Sequence, residues 1–82
     1  MDSATVKQRL NQVFQDVFDD PGLQINEAMT ADDVDAWDSL THIDLIVQVE
    51  KEFRIKLSTS AVRGLKNVGD FLALIEAKTK AG

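Results

Sequence analysis

Apolar residues in the first part of the chain recur every three or four positions. Val6, Leu10, Val13, Phe14 and Val17 fall on one face if residues 4–18 coil as a helix, with Ser3 placed to cap it. The pattern stops at "DDPG", residues 19–22, whose Pro21 and Gly22 are turn formers. Residues 19–38 show no sustained periodicity. Leu23, Ile25, Met29 and Val34 are isolated anchors, so the segment reads as a long loop pinned to a core, with room for one short helical turn.

A second periodic run spans Ser39 to Phe53, with Asp38 where an N-cap belongs. Leu40, Ile43, Leu45, Ile46, Val47, Val49 and Phe53 cover more than one face, which predicts a helix central to the fold. Thr41, Asp44, Gln48 and Lys51 mark its wet side. "RIKLS", residues 54–58, reads as an extended link. Ser58 caps a short third helix through Val62, and Gly64 ends it as a C′ glycine. The last helix runs from Val68 to Lys78 and buries Val68, Phe71, Leu72 and Ile75. Asn67 is its cap, and Asp70 stands where a capping box needs an acid. The pattern predicts an all-α fold: a small four-helix bundle of three main helices plus a short third, with a long loop between helices 1 and 2.

Eighty-two residues make one domain with a modest core. With no Cys there is no disulfide framework and no catalytic thiol, and with one His a zinc site is not expected. No apolar run is long enough to span a membrane, and "MDSATVKQRL" has no signal-peptide core. A cytoplasmic, free-standing monomer is expected. The net charge of −5 argues against nucleic-acid binding. Its distribution says more. Residues 16–50 hold ten acids and no Lys or Arg, a field that steers basic partners. Residues 51–66 reverse the sign, with Lys51, Arg54, Lys56, Arg63 and Lys66 against Glu52 alone.

The candidate chemistry lies in "DAWDSLTHIDL", residues 35–45. Ser39 has four readings. It can be an ordinary helix-start residue, although Asp38 already supplies the cap. It can be a nucleophile with His42 as base, but no third group orients the imidazole and no glycine-rich turn offers an oxyanion hole. The acidic surroundings also favour the imidazolium, which is wrong for a base. A calcium loop starting at Asp33 fails: Trp37 and Asp38 occupy its fifth and sixth positions, and Asp44 stands where Glu is needed. The fourth reading is attachment. A phosphodiester at a helix start meets the positive end of the helix dipole and free backbone N–H groups.

"DSL" at 38–40 leading into "THIDLIVQVEKEF", together with "NVGDFLALIEAK" at 67–78, closely resembles the acyl carrier protein family. The helix order, long first loop and short third helix fit as well. The resemblance implies a carrier without catalytic activity of its own. Ser39 would hold 4'-phosphopantetheine, loaded from coenzyme A by a phosphopantetheinyl transferase. Acyl-loading and acyl-processing enzymes would then be its partners. It further implies that Asp35, Trp37, Asp38, Leu40, Asp44 and Glu50 serve transferase and partner recognition, and that Val49, Leu57, Val62 and Leu65 line an acyl pocket. No metal is implied.

The basic 51–66 region and the bulky Trp37 depart from the family pattern, which suggests a specialised fatty acid, lipid or polyketide pathway. Trp37 either alters docking around the arm or packs over the mouth of helix 2. "AWDS" lacks the Gly-rich motif of peptidyl carriers. The competing class is an unmodified acidic helical interaction module, which explains the charge but not the match around Ser39.

Overall fold

Asp2, not Ser3, caps the first helix. In the computed structural model, which describes residues 2–80, the Asp2 side chain accepts from Thr5 N and α1 runs over Ser3–Val17. α2 spans Ser39–Phe53, α3 Thr59–Arg63 and α4 Val68–Lys80. The four-helix, all-α fold expected from the pattern is the fold observed. The only β-type pairing among the described residues is an isolated bridge between Thr30 and Asn67.

Two helices end without glycine. Asp19 and Arg54 take left-handed φ values of 51° and 54°. Asp20 N then reaches back to Gln15 O at 2.9 Å, and Ile55 N to Glu50 O at 3.1 Å. The first is a Schellman closure, and in the second Arg54 N joins Ile55 N on Glu50 O; both satisfy carbonyls the last helical turn leaves open. So α1 is closed by Asp19, two residues before Pro21. Gly64, by contrast, has φ −82° and is not the left-handed C′ residue its type suggested. The left-handed position went instead to Arg54. Beside it the Glu50 carboxylate accepts Leu57 N at 3.0 Å, tying the extended link to α2.

α1 packs against both α2 and α4 and is therefore the hub, not α2. Its Val6, Leu10, Val13 and Phe14 are buried, and they meet Leu45, Val49 and Phe53 of α2 and Val68, Phe71, Leu72 and Ile75 of α4. Phe14 sits edge-on to both Trp37 and Phe71, with ring centroids 5.3 and 5.8 Å apart, the geometry the ring quadrupoles favour.

The loop of residues 19–38 is fastened to α1 and α4 by hydrogen bonds at three of its anchors, Leu23, Ile25 and Met29. Asn11 Oδ1 accepts Ile25 N at 2.8 Å, and Gln15 Nε2 donates to the carbonyls of Pro21 and Leu23. Val68 N and Gly69 N donate to Met29 O and Glu27 O, both at 2.9 Å. The approach at Gly69 is close: a Cβ there would lie 3.1 Å from Glu27 O. Ala31–Asp33 is a 3-10 turn closed by a reciprocal Thr30/Asp33 capping box. Asn67 Oδ1 accepts Asp70 N as expected, but the Asp70 carboxylate accepts Lys66 N, one residue before the cap.

Candidate functional site

The loop delivers Asp38 in an extended conformation directly before α2. Its Oδ1 accepts Leu40 N and Thr41 N, both at 3.0 Å. Thr41 Oγ1 accepts Asp38 N and donates to Ala36 O, both at 2.8 Å. The Thr41 backbone N–H, followed by that of Leu40, holds the Asp38 carboxyl below the usual range, so it is charged at neutral pH.

Ser39 is then the first residue of α2, exposed, with the capping task already done by its neighbour. One expectation needs correction. The first-turn N–H groups that follow Ser39 are not free for a phosphodiester: Leu40 and Thr41 donate to the Asp38 side chain, and His42 N donates to Asp38 O at 2.9 Å. A phosphate on Ser39 fits this site in solvent, facing the helix dipole, and not in a cradle of amides.

Trp37 lies in the core at 6 % exposure, so it is the lid over the α2 mouth, with only an edge reaching the surface. Any influence it has on docking passes through its neighbours. Its indole N–H donates to His42 Nδ1 at 3.1 Å. The two rings lie 16° from coplanar with centroids 6.2 Å apart, a side-by-side arrangement compatible with an in-plane N–H···N bond. His42 also meets Phe71 edge-on at 5.8 Å. Burial pushes the imidazole pKa down. Desolvation thus outweighs the nearby acids that had suggested an imidazolium. His42 is neutral, yet its Nδ1 serves the indole and not Ser39. Beside it a groove of about 470 Å³ opens, lined by Ala31, Trp37, Asp38, Ser39, His42 and Ile43.

The other recognition candidates divide. Asp35 and Asp44 are exposed, and Leu40 is 74 % exposed. Glu50 is half-buried, with its carboxylate engaged by Leu57 N. Sequence reasoning missed two companions of Leu40: Ile43 at 59 % and Val47 at 39 % are also exposed. With about 100° per residue, positions 40, 43 and 47 share the face opposite 45, 49 and 53. The signal was present as two separate apolar stripes on one helix.

Of the pocket candidates, Val49 and Leu65 are in the core and Leu57 packs on it. Val62 is half-buried and is not among the residues packed against that core.

No family model matches the chain. It is 40 % identical over 57 residues to an acyl carrier protein of Streptococcus thermophilus (strain CNRZ 1066), covering 70 % of this chain and 73 % of that one. Its fold superposes on the solution NMR structure of holo acyl carrier protein from Geobacter metallireducens with a TM-score of 0.87 and 38 % identity. That match covers 93 % of this chain and 87 % of the other. No described helix is long and apolar enough to cross a membrane. A helical bundle that presents an exposed serine at the capped start of its second helix, at this level of identity, belongs to the acyl carrier protein family.

Proposed function

We infer that the chain carries acyl groups as thioesters on a 4'-phosphopantetheine arm joined to Ser39 Oγ, and presents them to enzymes of a specialised fatty acid, lipid or polyketide pathway. The observation that carries this reading is the pairing of an exposed, unburdened hydroxyl with an exposed apolar stripe starting at the next residue. When bound, the arm supplies a terminal thiol on a long flexible tether, which the Cys-free chain lacks.

The chain's own residues do the rest. Asp38 fixes the start of α2, so Ser39 stands at one defined place for the transferase. Leu40, Ile43 and Val47 offer apolar contact, and Asp35 and Asp44 frame them with negative charge. Such a surface suits partners that bring cations around an apolar spot. It favours fast encounter and fast release, which a carrier visiting successive enzymes needs. Glu50 contributes by holding the 54–58 link beneath that face. Val49, Leu57 and Leu65 are the side chains from which a cargo pocket would open.

The test is the intact mass before and after incubation with coenzyme A, magnesium and a broad-specificity phosphopantetheinyl transferase. A gain of one phosphopantetheinyl group, absent in Ser39→Ala, is expected. No gain, either with that transferase or in protein from native cells, would leave the unmodified interaction module as the better account.

A further inference from the structure

The groove beside Ser39 lies on the loop side of α2. It shares no residue with Val49, Leu57, Val62 and Leu65, so it is a different place from the cargo pocket. Its walls come from three parts of the chain: Ala31 in the 3-10 turn, Trp37 and Asp38 in the approach to α2, and Ser39, His42 and Ile43 in the first turns of α2. Ala31 and Ile43 are exposed, and the indole backs the groove.

Its lining is mostly apolar, and His42 and Asp38 are the residues that bring polar groups to it. His42 Nδ1 accepts the Trp37 N–H, so the proton of the neutral ring must sit on Nε2. Burial favours that neutral form. The groove's lining therefore includes His42, whose Nε2 carries the proton, and Asp38, whose charged carboxylate disfavours an anionic occupant. A suitable occupant is electrically neutral and branched apolar, with a carbonyl acceptor close by.

The segment of a phosphopantetheine arm next to its phosphate has that chemistry. A carbon bearing two methyl groups follows the phosphate ester, then a hydroxyl, then an amide carbonyl. Attachment at Ser39 Oγ delivers this segment to the groove's own rim. A short tether of this kind gives an effective concentration in the millimolar range, so even weak contacts are populated.

Resting on the carrier reading above, we propose that this groove seats the first segment of the arm. The two methyl groups pack on Ala31, Ile43 and the indole edge, and His42 Nε2–H donates to the first amide carbonyl. The arm then leaves Ser39 in a set direction, across the loop side of α2, while its distal half stays free to reach a partner.

The experiment uses the full chain loaded with an isotope-labelled arm. Intact mass reports loading. NMR reports the first arm amide and contacts of the geminal methyls. The expected result is complete mass gain, an order parameter above about 0.6 at the first amide, where flexible groups fall below that value, and methyl contacts to Ala31 and Ile43. Ala31→Leu, which fills the groove from an exposed position, should load fully and lose both signals. A loaded wild-type protein whose first amide falls below about 0.6, with no methyl contacts, overturns the seat and leaves the carrier reading standing. Absence of mass gain overturns both, and the mass spectrum alone separates the two failures.

Discussion

Leu45 and Leu40 are the same residue on the same helix, and the structure assigns them opposite consequences. Leu45 is fully buried against α1, whereas Leu40 is 74 % exposed. Leu45→Ala removes packed methyl groups and leaves a cavity, a loss of about 2–5 kcal/mol. A chain of this size has roughly 4–12 kcal/mol in total, so this substitution takes a large share of it. The melting temperature should fall by about 10 °C or more.

Leu40→Ala removes the same three carbon groups, at about 0.8 kcal/mol each when fully buried. Only about a quarter of the Leu40 surface is covered in the fold, so the loss is about 0.6 kcal/mol, and the better helix propensity of Ala offsets part of it. The exposed remainder is what a docked partner can cover. Its loss is worth about 1.8 kcal/mol, or roughly a 20-fold weaker Kd.

Urea denaturation followed by fluorescence of the single, buried Trp37 reads stability. Titration with a phosphopantetheinyl transferase reads docking. Two results would refute the reasoning. If Leu40→Ala loses more than about 1.5 kcal/mol of stability, its side chain is packed and the exposed stripe is not a surface feature. If transferase affinity is unchanged, the stripe does not dock that enzyme.

Ser39→Ala should keep the urea midpoint within error, because Asp38 and not Ser39 caps α2, and a shifted midpoint would show that the hydroxyl has a structural task. Asp44→Lys should slow transferase association at low salt and flatten its salt dependence, since Asp44 is an exposed charge beside the stripe; stopped-flow rates at two ionic strengths check this. Glu50→Ala should speed hydrogen exchange at the Leu57 amide at a loss of about 1 kcal/mol, and unchanged exchange would mean the link is held elsewhere. The folded-state pKa of His42 is lowered from 6.5 by burial, so stability from the neutral ring is fully present above pH 6.5 and is lost as pH falls through the folded pKa. The Trp37 indole proton, deprived of its acceptor, should shift over that range in an NMR titration, and His42→Gln should abolish the transition.

Much of this protein follows from local pattern. The start of α2 at Ser39 and its end near Phe53 were legible, because Asp38 and the apolar run after it are local signals that short-range hydrogen bonds enforce. The order of the helices and the place of Ser39 at the start of α2 followed as well, and the family resemblance added the attachment role proposed for it. The helix closures at Asp19 and Arg54 were not legible, since a left-handed non-glycine residue is held by bonds made five residues back and by packing beyond them.

Tertiary structure decided which apolar residues of α2 are core. A helix carrying two apolar stripes can bury either one or both. Only the placement of α1 and α4 determined that 45, 49 and 53 turn inward and that 40, 43 and 47 remain in water. The same holds for residues 37 and 42. The sequence places a Trp and a His five apart around an acidic cap. Only the loop, pinned from Asn11 to Gly69, brings the indole N–H to the imidazole and fixes which nitrogen keeps its proton. Sequence sets spacing along one element, but burial, tautomer and exposed face depend on partners distant in the chain.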